Sequence, residues 1–263
     1  PASHSTELFL QTSPEFHMKR LLASGYGCIY QIAKAFRHEE SGKNHNPEFT
    51  MLEWYRIGFD QFELMSEVAD LLQVVLGGDQ ALFTSYQDIF SETVSVDPLT
   101  ASFDELVGVL NKYDKSADWL IEMNDPDLLL QFIFSEIIEP SIGLKEPQFI
   151  YDFPIAQASL AKRSIDDPRV AQRFECYFKG IELVNGFNEL TDANEQLERF
   201  EDDNEKRRAQ GLVERSIDKR FIDALRYGLP QCSGVALGID RLIMLALEIK
   251  EIDCVQSFSI ERA

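Results

Sequence analysis

Phe36-Arg37-His38-Glu39-Glu40-Ser41-Gly42-Lys43-Asn44-His45-Asn46-Pro47-Glu48-Phe49-Thr50-Met51-Leu52-Glu53-Trp54-Tyr55-Arg56 is the stretch whose reading decides the fold. It predicts two strands joined by a polar loop. Residues 28–36 and 49–55 are rich in β-branched and aromatic side chains, and Ser41, Gly42, Asn44, Asn46 and Pro47 interrupt them. Side chains alternate along a strand, so Phe49, Met51, Glu53 and Tyr55 share one face. Arg37 and Glu39 share parity at the end of the preceding strand. A face with a carboxylate at its centre is either a binding surface or a wet, exposed sheet, and spacing alone leaves both open.

Outward from this hairpin, Ser13 is a candidate N-cap, with Pro14 in the first helical position. Glu15 in the first turn suits the helix dipole. Asp60-x-x-Glu63 is a capping box ahead of an apolar helical stripe that ends at Gly77-Gly78. Residues 84–146 predict helices, capped at Ser102-x-x-Glu105, opened again by Asp125-Pro126 and stopped before Pro140. Their acidic side chains are assigned to solvated faces. A strand follows over 147–153.

Lys179-Gly180 predicts a two-residue turn that sets Tyr177 opposite Glu182. Glu175 then shares a face with Glu182, as a diagonal neighbour roughly 7–8 Å away. Two carboxylates there either face solvent or hold a cation, and hard oxygen ligands suit Mg²⁺. Asn185, Phe187 and Glu189 continue the alternation. Asp192-x-x-Glu195 predicts another capping box, and a shorter helix is expected over 217–227. Near the end, Gly234-x-x-x-Gly238-x-x-Arg241 runs into an apolar helix. Its glycines permit close backbone approach, and the helix start favours phosphate.

The 263 residues are 44% hydrophobic, enough for one substantial core. A formal charge of −20 argues against a broad phosphate-binding face and so against tRNA. The 4 cysteines form no C-x-x-C pair and are expected to be small buried hydrophobes in a reducing compartment. No apolar run reaches the ~18 residues of a membrane span. The absence of an initial Met suggests an N-terminal truncation. A P-loop reading fails, because G-x-x-x-x-G-K-[ST] is absent.

Phe36-Arg37-x-Glu39 with His45-Asn46-Pro47-Glu48-Phe49-Thr50-Met51-Leu52-Glu53 resembles motif 2 of the class II aminoacyl-tRNA synthetases, lysine type. Gly234-x-x-x-Gly238-x-x-Arg241 resembles motif 3, in the expected order. Thr12-Ser13-Pro14-Glu15 resembles the amino-acid-binding loop of that branch. Several stretches, among them Met18-Lys19-Arg20-Leu21-Leu22 and Cys232-Ser233-Gly234-Val235-Ala236-Leu237-Gly238, are closer to shortened paralogues of lysyl-tRNA synthetase that ligate (R)-β-lysine to elongation factor P. Ala236 replaces the glycine of the synthetase motif, and Asn44 stands where an arginine is usual.

The resemblance implies an α+β fold, an antiparallel sheet flanked by helices. It implies one catalytic domain over 1–263, with 84–146 inserted, and without motif 1 or an anticodon-binding domain. It implies a cytoplasmic, dimeric, ATP-dependent ligase working through an aminoacyl-adenylate. Arg37 and Arg241 would then be catalytic. Glu39, His45, Asn46, Phe49, Glu182, Leu183 and Gly238 would complete the ATP site, and Glu175 and Glu182 would hold Mg²⁺. Ser13, Pro14, Glu15, Glu53, Tyr55, Asn185, Phe187, Glu189 and Ala236 would line the amino-acid site. Two alternatives stand beside this reading: a lysyl-tRNA synthetase fragment and a non-catalytic synthetase-like binding module.

Overall fold

The computed structural model describes residues 9–38, 42–115, 118–260 and 262–263. Its frame is a seven-stranded sheet in the order β1-β2-β7-β6-β5-β4-β3. The strands are β1 (Ile29–Phe36), β2 (Glu48–Ile57), β3 (Leu82–Ser85), β4 (Gln148–Pro154), β5 (Val170–Phe178), β6 (Ile181–Asn188) and β7 (Cys232–Gly238). Every pairing is antiparallel except β3 with β4. The hairpin of the opening stretch is present, with Phe36 opposite Glu48 and Ile29 opposite Tyr55.

The strand alternation divides the sheet into an apolar back and a polar front. Trp54, Phe149, Phe174, Cys176, Val184, Val235 and Leu237 form the back, under Leu64, Met65, Val68 and Leu72 of α2 (Gln61–Leu76). That helix starts with the expected Asp60/Glu63 capping box. Gly186 is needed on this face, since a Cβ there would lie 2.3 Å from the Phe174 ring. At the far end, Tyr86, Phe90, Phe134, Phe153 and Tyr177 join a second cluster. It is built from α3 (Tyr86–Val94), α4 (Phe103–Lys112), α5 (Asp118–Met123) and α6 (Pro126–Ile133). Ser102/Glu105 caps α4, and Asp125 with Pro126 opens α6.

Two helices flank the front. α1 (Glu15–Ala23) and α8 (Lys219–Gly228) pack Met18, Leu22, Phe221, Ile222 and Leu225 around Tyr55 and Cys232. Between β6 and β7 runs α7 (Ala193–Ala209), and α9 (Ile239–Ala246) follows β7 directly.

Three local expectations are corrected. Glu195 does not close a capping box at α7; Asp192 caps alone, and Glu195 pairs with Arg199 four residues on. The α1 N-cap position falls to Pro14 rather than Ser13, although the Ser13 hydroxyl still accepts from the Glu15 N–H (3.0 Å) as well as donating to Glu53 on the sheet. Only Cys176 and Cys232 are buried; Cys28 and Cys254 are exposed. No helix among the described residues is long and apolar enough to cross a membrane.

Candidate active site

The front face is built in rows. Glu53 lies beside Ala236, Ala236 beside Asn185, and Asn185 beside Glu175. The next row runs Tyr55, Gly234, Phe187, Arg173. Side chains from four strands therefore converge although they are distant in sequence.

One irregularity makes this convergence work. Lys179 and Gly180 form the expected turn, both at positive φ (50° and 73°), and Tyr177 faces Glu182. The register then slips: Cys176 faces Val184, leaving Leu183 as an extra residue. A bulge of this kind reverses the alternation beyond it. A regular ladder would put Glu182 and Asn185 on opposite faces, whereas here both line one cleft. Glu175 thus remains on the same face as Glu182, as expected, while the bulge sets Asn185 rather than Val184 directly across from it.

That cleft is lined by Arg37, Asn44, His45, Asn46, Phe49, Glu182, Leu183, Asn185, Ala236, Gly238 and Arg241. The Arg37 guanidinium lies 5.3 Å from the centre of the Phe49 ring. Arg241, in the first turn of α9, donates from Nε to the Asn44 carbonyl (3.2 Å) and from Nη1 to the Glu182 carbonyl (2.7 Å). Backbone contacts thus fix a charged fork that a lysine could not reproduce. Gly238 has an ordinary φ of −77°, and an added Cβ would meet nothing closer than Arg241 Cδ at 3.6 Å. Neither strain nor packing demands glycine there; its effect is to leave the cleft floor open.

His45 closes a tight turn through reciprocal backbone bonds with Gly42 (3.0 and 3.1 Å). The Asn46 amide is spent on structure: Nδ2 donates to the Glu48 carbonyl and Oδ1 accepts from the Ile260 N–H. Glu39 lies outside the described residues. Asp240 was not anticipated; it accepts from the Thr50 N–H at 2.6 Å and locks β2 to the start of α9. An acid in a helix's first turn was its only signal.

At one end of the cleft, Glu175 is enclosed by donors. Arg173 Nη2 reaches Oε1 at 2.5 Å, Asn185 Nδ2 reaches the same oxygen at 2.9 Å, and the Tyr177 hydroxyl donates to Oε2. Glu182 lies 3.8 Å from Arg241. Loss of solvent, then repulsion from Glu175, pushes Glu182 up to about 7. The same two causes raise Glu139 above the ordinary carboxylate range. The acidic corner therefore favours an added cation, as expected for Mg²⁺. The fit is partial: Glu182 is the more open carboxylate, and both Glu175 oxygens already accept hydrogen bonds. Among the described residues, no group of three or more His, Cys, Asp or Glu is arranged to hold a metal.

On the other side of Ala236 is a buried acidic cluster. Glu53 (2% exposed) accepts from the Ser13 hydroxyl at 2.8 Å and the Tyr55 hydroxyl at 2.7 Å. Glu189 (1%) and Glu15 both bind Lys19, whose Nζ lies 2.6 Å from Glu189 Oε2 and 2.7 Å from Glu15 Oε1. Burial, then the charge of Glu15, pushes Glu53 up to about 7 against the two hydroxyl donors. Burial likewise pushes Glu189 up to about 8, opposed by Lys19 and reinforced by Glu15 and Glu53. Burial opposes charge on Lys19, but the two glutamates outweigh it and raise the ammonium above the usual lysine range. Gly234 is obligatory beside them: a Cβ would lie 2.3 Å from Tyr55 Cε1 and 2.4 Å from Glu189 Oε1.

The structure thus brings Ser13, Glu15, Glu53, Tyr55 and Glu189 together, and Ser13, Tyr55 and Lys19 already meet their carboxylates. The principal residue missed from sequence is Lys19, which reads like part of a charged surface run, Lys19-Arg20. Its signals were the four-residue spacing from Glu15 and its place beside Met18 on the buried helical face.

The chain matches the family model of class II tRNA synthetases (D, K and N) over residues 1–262. It is 54% identical to the elongation factor P–(R)-β-lysine ligase of Mannheimia succiniciproducens over 99% of this chain and 80% of that protein. The proteins of the same description from Proteus mirabilis and Sodalis glossinidius are 56% and 53% identical, over 100% of this chain and 80% of each.

Proposed function

Because the chain belongs to the class II tRNA synthetases of the D, K and N type, we propose that it is an ATP-dependent ligase. It activates (R)-β-lysine as an adenylate and transfers it to a lysine side chain of elongation factor P. The observation that carries this reading is a buried acidic cluster on the same sheet face as a cleft with two arginines. Glu15, Glu53 and Glu189 suit a diamine, while Arg37, Phe49 and Arg241 suit a nucleoside triphosphate. Relatives at 53–56% identity carry the ligase description.

In the first step the substrate carboxylate attacks the α-phosphorus of ATP, and the bond to pyrophosphate breaks. Arg37 would bridge the carboxylate and the α-phosphate, where charge accumulates. Phe49 would stack on adenine, with Arg241 over the opposite face and reaching the terminal phosphate. Leu183 and Gly238 would offer their backbones, with His45 beside the nucleotide; Asn46 would act by holding its loop. Glu182 and Glu175 would hold Mg²⁺, which supplies neutralising charge to the phosphates. No general base is needed, because the attacking carboxylate is already ionised. In the second step the partner's lysine amine attacks the acyl carbon, AMP leaves, and the amine loses a proton as the amide forms.

Glu53, Tyr55 and Glu189 would receive the distal ammonium, Glu15 the other amine, and Asn185 the carboxylate. Ala236 lies between Glu53 and Asn185 on the pocket floor. Its methyl would shape the site toward a β-amino acid. Ser13 would orient Glu53, Pro14 would set the α1 start, and Phe187 would flank Gly234. A homodimer acting in the cytoplasm belongs to the same proposal.

The test is ATP–pyrophosphate exchange with (R)-β-lysine and α-lysine at matched concentrations, followed by label transfer to elongation factor P. A strong preference for (R)-β-lysine and transfer to the protein are expected. A preference for α-lysine with transfer to tRNA would move the assignment to tRNA charging.

A pH dependence follows from the two raised carboxyls. Glu53 and Glu189 hold protons below about 7 and about 8 respectively, and an incoming ammonium must displace them. The KM for the amino acid should therefore fall as pH rises toward about 8. A KM for the amino acid that rises over that range would show that these carboxyls do not receive the amines.

A further inference from the structure

The acidic pocket contains a charge arrangement that the ligand roles above do not use. Glu15 comes from α1, Glu53 and Tyr55 from β2, and Glu189 from the end of β6. Lys19 Nζ lies among them, 1% exposed, and within hydrogen-bond distance of two of the three carboxylates. Cys232 of β7 and the Phe221 ring of α8 close the remaining sides, the ring centre lying 5.8 Å from Nζ. A fully buried lysine is costly unless it is paired, and here the pairing is to groups that also face the ligand.

With all groups ionised, three carboxylates and one ammonium leave two negative charges uncompensated. A diamino acid brings two ammonium groups, and its own carboxylate is directed toward Arg37. The count closes only because Lys19 supplies the third positive charge. We propose that Lys19 is a positioning and specificity-determining residue: a built-in cation that spaces Glu15 and Glu189 and sets the pocket to accept two further ammonium groups. This rests on the amino-acid activation proposed above.

Lys19 also ties the start of α1 to the end of β6 through one atom. The tie sets the width of the pocket between Glu15 and Glu189. A neutral side chain of similar length could fill the space but could not draw the two carboxylates toward a common point. The proposal therefore concerns charge rather than volume, and the two are separable by experiment.

Exchange kinetics would be compared for the unmodified protein, Lys19→Met and Lys19→Ala. Both variants should raise the KM for (R)-β-lysine by about thirtyfold or more, the scale for truncating one member of a buried charge pair. The KM for ATP should stay within about threefold, a change too small to report loss of the Arg37 and Arg241 cleft. In Lys19→Ala, added n-propylammonium should restore the KM in a saturable way, whereas 1-propanol should not. A Met variant that behaves like the unmodified protein, or equal rescue by 1-propanol, would reduce Lys19 to a filler and overturn the proposal. So would a joint loss of kcat and both KM values that n-propylammonium does not reverse. An unmodified protein that activates no diamino acid would instead sink the functional reading, and this proposal with it.

Discussion

An Arg37→Ala protein is expected to form the adenylate about a thousandfold more slowly, the scale seen when a principal charge stabiliser of a transition state is removed. Such a loss corresponds to about 4 kcal/mol of transition-state stabilisation. Arg37 follows β1 immediately, its backbone N–H donates to the Pro47 carbonyl at 2.9 Å, and its guanidinium lies against Phe49 at the cleft. In the proposed reaction it meets two anions at once, the attacking carboxylate and the α-phosphate. The need for it is greatest as they approach, so kcat should fall much further than ATP affinity. Arg37→Lys should recover little, since a point charge cannot reproduce a planar fork that addresses both groups. ATP–pyrophosphate exchange, with ATP affinity measured separately, decides the matter. A kcat within about tenfold of the original would remove Arg37 from the chemistry.

Gly234→Ala should carry the second largest effect, because one methyl strikes both the fold and the site. The new Cβ would lie 2.3 Å from Tyr55 Cε1 and 2.4 Å from Glu189 Oε1. Neither neighbour can yield cheaply. Tyr55 is 2% exposed, packed by α1 and α8 and bonded to Glu53, while Glu189 is held by Lys19. β7 is an interior strand of the sheet, so backbone retreat would disturb pairing with both β2 and β6. Overpacking of this kind costs about 1–3 kcal/mol. In a chain of this size it should lower Tm by roughly 5 °C. The displaced Tyr55 and Glu189 should also weaken amino-acid binding at temperatures where the fold is intact. Thermal unfolding and exchange kinetics at 20 °C give the two readouts. An unchanged KM for the amino acid would show that these side chains lie away from the ligand.

Features governed by neighbours in the chain were legible in the sequence. The alternation of Glu53 and Tyr55, the Asp60/Glu63 box and the Lys179-Gly180 turn follow from residue type and short spacing. The motif pair around Arg37 and Arg241 was legible by resemblance. Features created by tertiary contact were not. Ser13 carries a capping side chain that does accept from the Glu15 N–H, but the same hydroxyl also donates to Glu53, forty positions away, which no local pattern announces. Glu195 stands three residues after Asp192 but finds a stronger partner in Arg199. Lys19 is buried because Glu15 and Glu189 surround it; its spacing from Glu15 was visible locally, but the second partner, Glu189, is distant in the chain. Cys28 shows the converse: a residue type that favours the interior lies just before the edge strand β1, exposed.

Leu183 divides β6 into two reading frames. Before it, even-numbered side chains lie on the front face, as Glu182 does; after it, odd-numbered ones do, as Asn185 and Phe187 show. In the proposed reaction one strand would thereby serve the phosphate end and the amine end with opposite parity, like a track that changes gauge partway along. Each half can exchange side chains without altering the other's phase. Removing the extra residue would instead turn one half inside out, placing its polar groups against the apolar back of the sheet.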